Sequence, residues 1–231
     1  METLMLSKVV SLAIVDAINP CALAVLALML MAIMSLNKDR KNVLFSGLSF
    51  SFAVFIGYIL YGLILVKFFS LIQAITSARV VLYKILGWVA LLIGILQLKD
   101  SIWYKPGGIA TEMPLKWRPK AKKLISKATG PKSAFFVGIF VTVFLLPCTM
   151  GPYVVMAGAV SFYKFMEAIA WLLLYNAIFI SPMIAITLIV YLGLKNIKDI
   201  KKWRDEKIRL IHFVESAILI LIGAGMIFGF L

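Results

Sequence analysis

Long apolar runs without a charge constrain this chain more than any other feature. From Asn42 to Val66, and again from Ser133 to Tyr163, no Asp, Glu, Lys or Arg interrupts the sequence. A helix crossing the hydrocarbon of a bilayer needs about 20 mostly apolar residues, and both runs exceed that. Four further runs obey the same rule. They are Val9 to Leu36, broken only by Asp16; Val80 to Leu98, with Lys84 near one end; Ala168 to Leu194; and Ile208 to Leu231, with His212 and Glu215 in its first turns. The composition agrees: 63% of residues are apolar and 15% charged, against roughly 45–50% and about 25% in soluble domains. No soluble core of this length hides so much apolar surface. The runs predict an all-α integral membrane protein with six transmembrane helices, and they exclude disordered, collagen-like and disulfide-rich secreted chains. The start, Met1-Glu2-Thr3, lacks a basic region, and the first run is longer than the roughly 7–15-residue core of a signal peptide. It is therefore read as a span rather than a cleaved leader.

The net charge of +14 acquires meaning once the charges are sorted by loop. Nineteen of the 24 Lys and Arg residues fall after spans 1, 3 and 5: Lys38, Arg40 and Lys41; nine from Lys99 to Lys132; and seven from Lys195 to Arg209. Basic residues concentrate on cytoplasmic loops of membrane proteins, so these three loops are expected inside and both termini outside the cytoplasm, in the cell membrane. The basic charge then marks orientation and contact with anionic lipid, with no nucleic-acid partner implied. The longest loop, residues 99–132, holds Pro106-Gly107-Gly108, Pro114, Pro119 and Gly130-Pro131, all breaker signals. It reads as an exposed basic cytoplasmic linker between a first three-helix unit, residues 1–98, and a second, residues 133–231.

Three spans in each unit mean that the second enters the membrane in the opposite sense, the arrangement of an inverted-topology repeat. Internal similarity is sharp at one place. Span 1 contains Asn19-Pro20-Cys21, span 4 contains Leu146-Pro147-Cys148-Thr149, and the chain has no other cysteine. A fainter echo joins Leu92-Ile93-Gly94 in span 3 to Leu221-Ile222-Gly223 in span 6. A single Cys in a membrane helix is ordinarily a small buried apolar residue; two that each follow proline in matched spans point to chemistry.

Proline lacks an amide hydrogen, and its ring clashes with the carbonyl four residues back. Pro20 frees the carbonyl of Asp16, Pro147 that of Val143, and Pro152 that of Cys148. Spans 1 and 4 are also long, about 42–46 Å as straight helix against a hydrocarbon core of about 30 Å. Both helices are therefore expected to break at Pro-Cys. A break sets each cysteine at the start of a new half-helix, where unpaired amide hydrogens and the positive end of the dipole favour thiolate. Broken helices in inverted repeats meet near the bilayer midplane.

At these residues the chain resembles the CcdA family, the membrane electron carriers of cytochrome c biogenesis, similar to the transmembrane domain of DsbD. The resemblance spans nearly the whole chain and is carried by Asn19-Pro20-Cys21 and by Pro147-Cys148-Thr149 with Pro152. One departure is Ala24, which stands where many members have proline. The resemblance implies a thiol-disulfide relay with Cys21 and Cys148 as its catalytic pair and Asn19, Pro20, Pro147, Thr149 and Pro152 as supporting residues. Cytoplasmic thioredoxin would reduce a Cys21–Cys148 disulfide, and the dithiol would reduce an extracytoplasmic thioredoxin-like protein serving cytochrome c maturation. No cofactor and no metal are implied. A rival reading uses the two thiols as ligands of a small soft-metal exporter, although the eleven Met residues are scattered rather than clustered.

Three further sites bear on function. Asp16 sits five positions before Cys21 and either handles the proton that accompanies thiol chemistry or caps a helix near the outer face; the sequence leaves both open. His212 and Glu215 are expected at the cytoplasmic lipid interface. Asn19, Gln97 and Asn176 are expected to bond between helices.

Overall fold

The computed structural model describes residues 2–18, 20–36, 39–76, 79–103, 116–126, 128–193 and 197–228. Among them lie eight helices: α1 (Glu2–Ala17), α2 (Pro20–Leu36), α3 (Arg40–Thr76), α4 (Arg79–Ile102), α5 (Arg118–Ile125), α6 (Pro131–Val160), α7 (Phe165–Tyr191) and α8 (Ile197–Phe228). Four contain stretches long and apolar enough to cross a membrane: Arg40–Gln73, Lys84–Ile102, Phe165–Tyr191 and Glu206–Phe228. A bent pair, Met5–Ala17 with Cys21–Ser35, whose axes differ by 44°, meets the same test when its two helices are taken together. The thirty-residue α6 occupies the fourth apolar run. Side chains such as Phe45, Phe52, Ile64, Trp88, Phe136, Phe140 and Leu221 are exposed on the outside of the bundle, an arrangement suited to lipid. The protein is a multi-pass membrane protein.

Local chemistry sets the helix starts. Pro20 opens α2, a position where the missing amide hydrogen costs nothing and the fixed φ suits the first turn. Pro131 does the same for α6, and there Ser133 Oγ accepts hydrogen bonds from the amides of Gly130 (3.0 Å) and Thr129 (2.8 Å). The thirty-seven residues of α3 make a rod of about 55 Å, so its ends project beyond the hydrocarbon.

The principal partnerships run α4 with α8, α3 with α6 and α7, and α1 with α7. Close contacts give directions. Gly138 of α6 lies against Phe50 and Ala53 of α3, Tyr61 meets Thr142, Tyr58 meets Thr149, and Ser70 reaches the carbonyl of Ser161 at 3.4 Å. From Gly138 beside Phe50 and Ala53 to Ser161 beside Ser70 the residue numbers rise together, so α3 and α6 run parallel. In the other seam Gly87 faces Gly223, Gly94 faces Ile220, and Ser101 Oγ donates to the Arg209 carbonyl at 3.0 Å, so α4 and α8 run antiparallel. At Gly87 and Gly223 the two backbones touch: a Cβ on either residue would meet the other's carbonyl oxygen.

Three expectations need correction. The predicted break at Pro147 is absent from the backbone, since α6 is helical without interruption from Pro131 to Val160. A mid-helix proline deletes one hydrogen bond, and in membrane proteins neighbouring helices and hydroxyl side chains compensate for it. Here Thr149 Oγ1 turns back to the Leu145 carbonyl at 3.4 Å, a bond that bends a helix rather than ending it. Second, the 99–132 loop is not wholly an exposed linker. It contains α5, whose Ala121 and Ile125, with the nearby Ala128, are buried in the main core, and which packs on α6 and α2. Trp117, just ahead of it, meets Phe144 of α6 edge to face at 5.7 Å. Third, His212 and Glu215 are buried, not interfacial: they are 0% and 5% exposed and pair with each other at 3.5 Å. α8 packs against α4, α2 and α1, which gives it a covered face that the edge of the apolar run does not announce.

Candidate functional site

The first Pro-Cys segment coincides with a change of direction. α1 ends at Ala17, α2 begins at Pro20, and Cys21 occupies its first turn. A helix start presents amide hydrogens that lack intrahelical acceptors. Cys21 is buried and carries no free thiol. Asn19 lies outside the described residues, as do the side chains of Pro20, Pro147 and Cys148. Pro152 and Thr149 are both buried on α6.

Asp16 precedes the bend and is 1% exposed. A carboxyl group so buried needs hydrogen-bond donors, because removing its hydration is costly. Tyr175 of α7 supplies one, its hydroxyl donating to Asp16 Oδ2 at 3.0 Å.

Thr149, the residue after Cys148, is engaged in the same way from another helix. Its Oγ1 lies 3.0 Å from the hydroxyl of Tyr58 on α3. Between these two contacts stands Tyr153 of α6. Its ring meets Tyr58 edge-on at 5.4 Å and Tyr175 at 5.3 Å. Its hydroxyl donates to the Tyr58 carbonyl and accepts from Asn176 Nδ2 at 3.3 Å. The expectation that Asn176 bonds between helices therefore holds. Phe179 closes the cluster against Tyr58 at 4.9 Å. Tyr153 approaches α3 over Gly62, where any Cβ would collide with its hydroxyl and with Leu172; glycine is required there for space, not for flexibility.

The sequence thus led to Asp16 and Thr149 but not to Tyr58, Tyr153 and Tyr175, which hold them. A signal was available: a tyrosine in the middle of an apolar span must find a partner for its hydroxyl. What that partner is depends on neighbours remote in sequence. Among the described residues no group of three or more His, Cys, Asp and Glu side chains gathers to hold a metal ion.

Comparison with known proteins adds one finding. No curated protein and no solved structure matches the chain. A family model, the cytochrome c biogenesis protein transmembrane region, matches residues 9–230, from the first apolar run to within one residue of the end. The agreement covers the bent α1–α2 pair, the tyrosine cluster and the α4–α8 seam alike, and the chain belongs to this cytochrome c biogenesis transmembrane family.

Proposed function

We propose that this protein is a transmembrane thiol-disulfide oxidoreductase that passes reducing equivalents through Cys21 and Cys148. The observation that carries the reading is the setting of Cys21. It is buried in the first turn of α2, directly after a 44° bend, with no free thiol, in a chain that has one other cysteine. That other cysteine follows a proline in the fourth apolar run, as Cys21 does in the first.

The proposed cycle balances as two successive exchanges. A thiolate of cytoplasmic thioredoxin attacks one sulfur of the Cys21–Cys148 disulfide; the bond breaks, a mixed disulfide forms, and the other cysteine leaves as thiolate. The second thioredoxin thiol then displaces the mixed disulfide, so that thioredoxin is oxidised and the protein gains two electrons and two protons. The resulting dithiol reduces the disulfide of an extracytoplasmic thioredoxin-like protein by the same steps in reverse. Asp16, at the bend, is the proposed proton carrier.

The architecture we infer is six spans in two inverted repeats, with both termini outside the cytoplasm and helix 1 broken at Pro-Cys. The partnerships support it. Spans 2 and 4 pair in parallel, span 5 pairs with span 1, and spans 3 and 6 pair antiparallel, as a pseudo-two-fold axis in the membrane plane would require. Exchange with soluble partners on both faces then calls for alternate presentation of the cysteines.

The test is a trap. Oxidised protein is mixed with reduced thioredoxin that retains only its attacking cysteine, and the products are run on a non-reducing gel. A mixed disulfide that disappears in the Cys21→Ser/Cys148→Ser variant supports the relay. Trapping that survives the double substitution overturns it, and metal-dependent protection of both thiols without trapping favours the soft-metal transporter.

A further inference from the structure

The tyrosine cluster ties each cysteine helix to the opposite half of the chain. Tyr58 belongs to the first half, on α3, and its hydroxyl holds Thr149 of the second half. Tyr175 belongs to the second half, on α7, and its hydroxyl holds Asp16 of the first. The two contacts are counterparts: in each, the second span of one half reaches the Pro-Cys span of the other. One lies five residues before Cys21 and the other one residue after Cys148. Tyr153 stands between them, with its ring against both tyrosines, its hydroxyl on the backbone of Tyr58, and Asn176, the neighbour of Tyr175, bonded to that hydroxyl. All three tyrosines are fully or almost fully buried.

We propose that Tyr58 and Tyr175 are positioning residues for thiol-disulfide exchange, and that Tyr153 makes them act as one unit. The inference rests on the relay reading above. Exchange requires the attacking sulfur to approach one member of the pair while the other leaves, so the relative placement of the α1–α2 bend and the middle of α6 governs its equilibrium and rate. The two hydroxyl contacts fix that placement across the halves. Linked through Tyr153, they make a displacement at one cysteine helix felt at the other. A third contact of the same kind, Tyr61 with Thr142 at 3.1 Å, also joins α3 to α6; the Tyr61 ring meets Tyr58 edge-on at 6.1 Å, but its hydroxyl bonds well before Cys148 rather than beside it, which makes its removal the natural comparison.

The experiment uses the full-length protein in lipid nanodiscs, equilibrated against oxidised and reduced dithiothreitol, with the dithiol fraction read by a maleimide gel shift. Tyr58→Phe and Tyr175→Phe each keep the ring and delete one oxygen. Each is expected to move the dithiol–disulfide equilibrium constant by about three- to tenfold, the range for single interhelical hydrogen bonds in membranes. The double variant moves it by less than the product of the two, and in a Tyr153→Phe background the effects multiply. Thr149→Ser, which keeps the hydroxyl, stays with wild type, whereas Thr149→Val follows Tyr58→Phe. No shift in either tyrosine variant, simple multiplication with Tyr153 intact, or an equal shift in Tyr61→Phe overturns the proposal. Because wild type is first put through the thioredoxin trap, absence of a mixed disulfide condemns the relay itself. Trapping with unshifted variants condemns only the positioning role.

Discussion

The two Pro-Cys segments share a sequence and differ in structure. In the first, the helix stops at Ala17 and restarts at Pro20, so that Cys21 opens a new helix at an angle to the old one. In the second, the helix runs on past Pro147 to Val160. The difference lies in what surrounds each proline. Pro147 is followed by Thr149, which bonds back to the Leu145 carbonyl, and α6 packs along the whole of α3. Pro20 is preceded by Asp16, whose carboxyl is drawn sideways to Tyr175 on α7. A proline weakens a helix by a few kcal/mol; the neighbours decide whether it bends or breaks.

That contrast can be tested from its strongest consequence downwards. Cys21→Ser and Cys148→Ser should each abolish oxidation of reduced thioredoxin by the reconstituted protein while leaving the protein folded, as read by circular dichroism. Normal turnover by either one would show that the two segments do not act as a pair. Next, Pro20→Ala and Pro147→Ala should separate the segments. Closing the bend should slow exchange at Cys21 by about tenfold, since the thiolate loses its place at a helix start. Pro147→Ala, in a helix already continuous, should change the rate by about twofold at most. Equal effects in stopped-flow measurements would erase the distinction drawn here.

Gly62→Ala acts on both segments at once, because the new methyl group meets the Tyr153 hydroxyl and Leu172. Overpacking of this kind costs about 1–3 kcal/mol, readable as a lower melting temperature in detergent. Trp117→Ala is expected to be the mildest, about 1 kcal/mol for a lost edge-to-face contact. It acts on the second segment alone, and its check is the melting temperature with turnover measured alongside. A larger loss of turnover than of stability would assign α5 a part in exchange.

The sequence disclosed most where physics acts locally. Apolar runs marked four membrane-length helices and a bent pair, since hydrocarbon demands uninterrupted length, and Pro20 at the start of α2 agrees with proline chemistry at a helix start. It misled where the outcome depends on neighbours. Nothing near Pro147 in the sequence announces the length of α3 packed beside it. The position of His212 and Glu215 at the edge of an apolar run suggested an interface, but which way they face depends on the helices packed against α8. α5 escaped notice because eight residues of basic sequence among breakers give little periodicity, and its burial comes from α2 and α6. The tyrosines were invisible as a set, because Tyr58, Tyr153 and Tyr175 lie far apart along the chain.

The α4–α8 seam carries a mechanical consequence. At Gly87 and Gly223 two backbones touch directly, with the side chains of Ala90, Met226 and Ile227 packed around the contact, so the seam resists shear there. Sliding would drive carbonyl oxygens into the opposing chain, and separation would open a void that lipid tails are too thick to fill. On the relay reading proposed above, the pair would serve as a fixed post about which the cysteine helices pivot. Spin labels across α4 and α8 should keep one distance in the oxidised and reduced protein, even as distances from that post to α2 and α6 change.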